Sequence, residues 1–332
     1  MTKGSRRWVF WGVAVGILAI LPRMIGIVKT NILVTFSIDA AFAVSLNLLL
    51  GYTGLLSFGH AMFFGAGAYA TALSLTHIPG LPLIPSVLFG ALAACLLAVI
   101  VSPLLSRVTG TAFAMLTLAF GQLLYVICLK FREVTGGEDG IAGFRVPPLT
   151  IPGVASFDMK NPMNFYYFAL IVLGICLWGM WFITKTPFGN VLVAIRDNPR
   201  RVAYLGCRVQ HSKGLILILS GTFAGVAGSI FALFQNVVST DGVLNAFVSF
   251  APLMMAYVGG IGSFFGPIFG SGILHLLDEL TSRYTQRVDL VNGAVFILAV
   301  IFAPYGFVGL WRKFRDWRRK DNSTPAVPGE AG

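Results

Sequence analysis

Polar side chains are scarce inside the long apolar stretches of this chain. The few present are Asp39, Asn47, His60, Gln122, Asn236 and the group His275, Asp278 and Glu279. A carboxylate deep in a hydrocarbon phase costs roughly 2.5–3.5 kcal/mol on insertion scales. Asp39 must therefore face protein or water along a pathway, or else lie near the outer interface, being only eight residues into its apolar segment. His60 and Gln122 suit hydrogen bonds from helix to helix. No two histidines stand at metal-ligand spacing, no Ser/His/Asp set is arranged for nucleophilic chemistry, and no G-x-x-x-x-G-K-[ST] phosphate loop occurs. The expectation is a chain with no catalytic residues, no metal and no cofactor. Cys95, Cys128, Cys176 and Cys207 are scattered and read as small hydrophobes.

The backbone itself is the second resource. Gly51, Gly54 and Gly59 stand in GYTGLLSFGHAMFFGAG between two apolar segments, and Gly259, Gly260, Gly262 and Gly266 stand in GGIGSFFGPIFG between two others, in opposite halves of the chain. GxxxG spacing recurs at Gly221/Gly225, Gly262/Gly266 and Gly266/Gly270. Small residues let helix backbones approach closely, so a leucine at Gly262 is expected to do far more harm than an alanine. Paired broken segments are also the pattern of discontinuous helices from two structural repeats that line a path at mid-depth. The candidate pathway residues are accordingly Asp39, Asn47, Gly51, Gly54, Gly59, His60, Gly259, Gly260, Gly262 and Gly266.

One long hydrophilic stretch, 185–213, is dense in positive charge: Lys185, Arg196, Arg200, Arg201, Arg208 and Lys213 stand against the single acid Asp197. Val191, Ala194 and Ile195 recur at helical spacing and stop at Asp197-Asn198-Pro199, where Pro199 opens a second short helix capped by Asn198. That helix runs through Val202, Ala203 and Leu205 to Gly206. A structured hinge of this kind exceeds what a connector needs. Because the chain lacks a motor of its own, the hinge is where an ATPase would dock if transport is ATP-driven.

The elements that position these residues follow from composition. The chain has 332 residues, 56% hydrophobic and 11% charged, with a mean hydropathy of +0.82. A soluble domain is about 25% charged, so this is an all-α polytopic membrane protein. Its net charge of +11 lies largely on connecting segments, as membrane orientation requires, and does not point to nucleic acid. Ten apolar segments, near 8–28, 31–50, 56–76, 83–105, 111–131, 164–184, 214–236, 248–261, 264–281 and 289–310, give about ten transmembrane or re-entrant helices in two related halves. The eighth is too short to cross comfortably and either pairs with the ninth in a re-entrant hairpin or spans with it. With both termini and 185–213 in the cytoplasm, 16 of the 24 Lys/Arg lie inside. The resulting division is a first span over 1–30, a transmembrane domain over 31–310 with an outer, periplasmic loop at 132–163, and a basic cytoplasmic tail over 311–332. Within that outer loop, Gly136, Gly137 and Gly140 form a turn around a solvated acidic tip, Glu138-Asp139. It is either a solvated linker or a cap over a pore or partner site.

Four motifs in order carry a resemblance: SLNLLLGYTGLLSFGHAMFFGAGAYA, TGGEDGIAG, AIRDNPRRVAYLG with SGTFAGVAGSIFAL, and GGIGSFFGPIFG. Over about 31–310 the chain resembles the LivM-type permeases of bacterial branched-chain amino acid ABC importers. The resemblance implies a multi-pass subunit of the inner membrane that moves leucine, isoleucine and valine, or a related small solute, inward. It implies that Ala194, Ile195, Arg196, Asp197, Asn198 and Gly206 occupy ATPase-docking positions, with Pro199 setting the turn among them. The partners implied are a second homologous permease, two cytoplasmic ATPases and a periplasmic substrate-binding protein, all besides membrane lipid. The sequence lacks the Glu-Ala-Ala run of other importer families, and Cys207 stands where an aliphatic residue is usual. Urea and short-chain amide importers share this architecture. A stand-alone secondary transporter would need coupling-ion ligands that so few carboxylates do not supply. For a non-transporting scaffold the paired glycine breaks would have no use.

Overall fold

A computed structural model describes residues 26–151, 155–284 and 287–302. The expected first span over 8–28 lies almost wholly outside these residues, and the basic tail lies entirely outside them. The helices, in chain order, are α1 (Ile27–Thr53), α2 (Ala61–His77), α3 (Leu83–Leu105), α4 (Thr111–Lys130), the short α5 (Arg132–Thr135), α6 (Pro162–Lys185), α7 (Pro187–Asp197), α8 (Pro199–Tyr204), α9 (Val209–Gln235), α10 (Thr240–Leu244), α11 (Ala246–Gly259), α12 (Gly266–Thr281) and α13 (Val288–Phe302). Every expected apolar segment after the first falls on one of them. The chain is an all-α polytopic membrane protein, and among the described residues six helical stretches are long and apolar enough to cross a bilayer.

One of those six corrects the short eighth segment. Residues Thr240–Gly259 form a 20-residue apolar stretch made of α10 and α11 together. Asn245 breaks it and caps the second part, its side chain accepting from Phe247 N–H at 3.1 Å. Hydropathy begins the segment too late because Asp241 and Asn245 dilute it.

The second half of α1, residues 40–51, is buried all round, and α6, α9, α11 and α12 pack against this helix. A helix apolar on every side belongs at the centre of a bundle, where no polar stripe is needed. Beside it α2, α3 and α9 meet at small residues: a side chain built on Gly67 would strike the backbone of Gly225, and one on Gly225 would strike Ala94 of α3. Dispersion between close backbones replaces the hydrophobic effect that lipid does not supply. The outward face of α3 carries Leu88, Leu92, Leu96 and Ile100 at four-residue spacing, all more than half exposed, as a lipid-facing ridge requires.

Four short strands form two small pairs. Strand β1 (Ile141–Ala142) pairs antiparallel with β4 (Val237–Val238), directly after α9, while β2 (Leu149–Ile151) pairs with β3 (Ala155–Phe157). Gly137 accepts from Thr240 Oγ1 at 2.7 Å, that hydroxyl lies 2.8 Å from Tyr69 Oη, and Tyr125 Oη donates to Asp241 at 2.7 Å. The start of the loop after α5 is thus tied through Gly137 to Thr240 of α10 and through β1 to β4 after α9, with Glu138 and Asp139 exposed at its tip.

Candidate functional site

The C-terminal end of α1 sets the geometry. The last four carbonyls of a helix lack partners within it. Gly54, in the left-handed region at φ 72°, turns the chain so that its own N–H reaches Leu50 O at 3.1 Å and Leu55 N–H reaches Leu49 O at 3.1 Å. The carbonyl of Gly51 is met instead by Arg196 of α7, whose Nη1 donates to it at 2.7 Å. One turn back, Asn47 is 1% exposed and clamps the α11–α12 link: its Nδ2 donates to Ser263 O at 3.0 Å and its Oδ1 accepts from Gly262 N–H at 3.4 Å. Both glycine breaks and the basic stretch therefore meet at one junction, and Asn47, Gly51, Gly54, Gly262 and Arg196 are all part of it.

From that junction the chain turns back into the bundle. His60 lies fully buried with Nε2 3.0 Å from Ser45 Oγ, eight residues before the end of α1, and stacks on Phe42. At 1.5 Å per residue this is about 12 Å from the helix end. Residues 54–60 thus run back alongside α1, and α2 begins only at Ala61, its N–H donating to Ser249 Oγ of α11 at 2.9 Å. Gly59 lies against the Thr117 backbone of α4. The expected helix-to-helix hydrogen bond of His60 is present. Gln122 makes none among the described residues and borders a narrow crevice with Gly59, Gly121 and Ser249. Asn236 serves as the left-handed cap of α9 at φ 53°.

The turn of the second break packs against the end of α1 at which the first break begins. The turn at 260–265 lies at the α7 end, because it is held by Asn47 and faces Arg196. Gly262 also needs a different explanation. A Cβ there would meet nothing closer than Arg196 Nη1 at 3.4 Å, an ordinary contact, whereas its φ of 83° is strained for any L-residue. Close approach occurs instead within the hairpin, where a side chain on Gly259 would run into the Gly266 carbonyl and one on Gly270 into the Met255 carbonyl. Gly260 combines a φ of 116° with a carbonyl lying against Gly266.

Asp39 stands near the middle of α1 and has a partner that sequence spacing did not reveal. Its Oδ2 lies 3.2 Å from His275 Nε2 of α12, with the two side chains 27% and 15% exposed. His275 also meets Phe36 edge to face, and Asp278 of the same helix accepts from Asn292 of α13 at 2.6 Å.

In the basic stretch the expected helix, turn and helix are present as α7 and α8, with Asn198 Oδ1 accepting from Arg201 N–H at 3.0 Å as the cap. Gly189, Leu192 and Ile195 recur every three residues and face the core, while Ala194 is exposed. Ile195 is 2% exposed and packs within this chain, so of the two only Ala194 lies at the surface. Asp197 is exposed and holds Arg196, and Gly206 is exposed at φ 84°. The second helix, expected to run through Leu205 to Gly206, ends at Tyr204, and both Tyr204 (90% exposed) and Leu205 (78% exposed) project outward. Sequence reasoning missed Tyr204, whose signal was a bulky apolar pair in an otherwise polar stretch.

A helical chain broken at glycines inside its own packed core, with an amphipathic helix tied to the break, falls in the class of polytopic membrane proteins. More narrowly, this chain belongs to the family described as "Branched-chain amino acid transport system / permease component", which it matches over residues 28–303. It is 27% identical over 321 residues to the high-affinity branched-chain amino acid transport system permease protein LivM of Escherichia coli K12, covering 90% of this chain and 75% of that protein. It is 26% identical to LivM of Salmonella typhimurium, over 88% of this chain and 72% of the relative. A probable branched-chain amino acid transport permease protein LivH of Methanocaldococcus jannaschii is 26% identical over 87% of this chain and 92% of its own length. No solved structure matches the chain.

Proposed function

We propose that this chain is a permease subunit of an ATP-driven importer that moves branched-chain amino acids into the cytoplasm of a bacterium through its inner membrane. The observation that carries the reading is the family match over 28–303, which takes in both glycine breaks and the whole of α7 and α8. A second homologous permease completes the membrane part, two cytoplasmic ATPases act on the exposed face of α7–α8, and a periplasmic binding protein delivers substrate at the opposite, β1–β4 end. The positive charge of the α7–α8 stretch supports a cytoplasmic position for it. Ala194, Asp197, Asn198, Pro199 and Gly206 form or shape the ATPase-facing surface. Asp39, Asn47, His60 and the glycines of the two breaks border the path of the substrate.

The test is reconstitution of the complete complex in liposomes with its binding protein, followed by ATP hydrolysis with leucine, isoleucine, valine, urea or acetamide. Stimulation by the three aliphatic amino acids is expected. Stimulation by urea or the amide and not by leucine would replace the substrate assignment.

A further inference from the structure

We propose that Arg196 is the positioning residue through which movement of α7 is passed to α1 and to the α11–α12 hairpin together; this rests on the importer reading above and deepens it. Its guanidinium is committed on three sides. Nη1 donates 2.7 Å to the Gly51 carbonyl, and Nε and Nη2 each lie 3.3 Å from Asp197 Oδ1, which fixes the plane of the fork. The stem crosses Gly54, where a Cβ would come within 3.1 Å of Arg196 Cγ, and Nη1 faces Gly262 of the hairpin turn. Among the described residues no other side chain of α7 or α8 hydrogen-bonds to a membrane-spanning helix.

Apolar contacts such as those of Leu192 and Ile195 can slide, whereas a charge-assisted hydrogen bond to a helix-end carbonyl is directional. A cation there also offsets the negative end of the α1 dipole. Asn47 then extends the link, because its amide holds Gly262 and Ser263 to α1. A pull on Gly51 carries the hairpin turn with it. Gly54, Gly260 and Gly262, all at positive φ, flank the link at the points where the backbone changes direction. A small displacement of α7 thus reaches two broken segments through one side chain.

The experiment measures leucine uptake per ATP hydrolysed in proteoliposomes containing the whole complex, for wild type, Arg196→Lys, Arg196→Gln and the control Arg200→Gln. Arg196→Gln is expected to lower uptake per ATP about tenfold, the size of losing one charge-assisted hydrogen bond. Arg196→Lys should fall in between, because an ammonium reaches the carbonyl but loses the fork on Asp197. Arg200→Gln should match wild type. If both Arg196 variants keep a wild-type ratio, the proposal is overturned. It is overturned equally if the charge-conserving Arg196→Lys strips the ATPases from the complex, since Arg196 would then be a docking contact. Should Arg196→Gln fail to assemble, the lysine variant decides alone. A wild-type complex that hydrolyses ATP without leucine-dependent uptake would remove the importer reading itself, and this link with it.

Discussion

At the scale of single residues, the glycines at the breaks divide into two kinds, and the division is testable. Gly259 is required for room, because any Cβ strikes the Gly266 backbone, whereas Gly262 is required for its φ of 83°. A left-handed conformation costs an L-residue roughly 1–2 kcal/mol, with asparagine tolerated best. Gly262→Ala should therefore already lose most of what Gly262→Leu loses, and Gly262→Asn should lose least. Thermal stability of the purified complex would show the order, and an alanine variant as stable as wild type would refute it. Asp39 gives a second expectation. Removing its charge takes away the carboxylate that lies 3.2 Å from His275 Nε2. Asp39→Asn should insert normally, lower uptake, and show a non-additive cycle with His275→Gln. Unchanged transport and strictly additive effects would return Asp39 to a merely structural place.

At the scale of elements, α7 and α8 form a pair of short helices whose outward residues differ from those facing the bundle. Tyrosine anchors are over-represented among residues that dominate interfaces. Replacing Tyr204 and Leu205 together by alanine should release the ATPases on purification, as should Ala194→Trp, which overfills the same face. Pro199→Gly only frees the backbone at the start of α8, a loss of about 0.4–1 kcal/mol, and should retain the ATPases while weakening coupling. Co-purification measures all three, and full retention by the Tyr204/Leu205 variant would move docking elsewhere. Both helices were legible in the sequence because Asn198 and Pro199 punctuate them and Val191, Ala194 and Ile195 repeat at helical spacing, although the buried face proved to be that of Leu192 and Ile195. The junction they feed was not, since Asn47 and Ser263 lie 216 residues apart and pairing at that separation leaves no local pattern. The lipid face of α3 was equally hidden, because Leu92 outside and Ala94 inside are both apolar and only packing tells them apart.

At the scale of the whole molecule, the polar features lie at two opposite ends, and a membrane must separate them if the chain works as an importer. One end holds Arg196, Arg200, Arg201 and Arg208 on and around α7–α8; the other holds Glu138, Asp139 and Asp241 around the β1–β4 pair. Basic residues are retained on the cytoplasmic side, so the importer reading expects the first end inside. The protein carries its own reporter of this arrangement. Cys207, just after α8, is exposed, whereas Cys128 and Cys176 are buried and Cys95 is intermediate on the apolar helix α3. A membrane-impermeant maleimide applied to intact spheroplasts should therefore leave the native chain almost unlabelled and should label it at Cys207 once the membrane is permeabilised. Cys207→Ser should abolish the second signal. Glu138→Cys in that background should react before permeabilisation, because the acidic tip stands on the opposite end and is exposed. Labelling of Cys207 from outside, or protection of a cysteine at position 138 until the membrane is opened, would invert the orientation. The ATPase-facing role of α7–α8 would fall with it, since no cytoplasmic partner could then reach Tyr204.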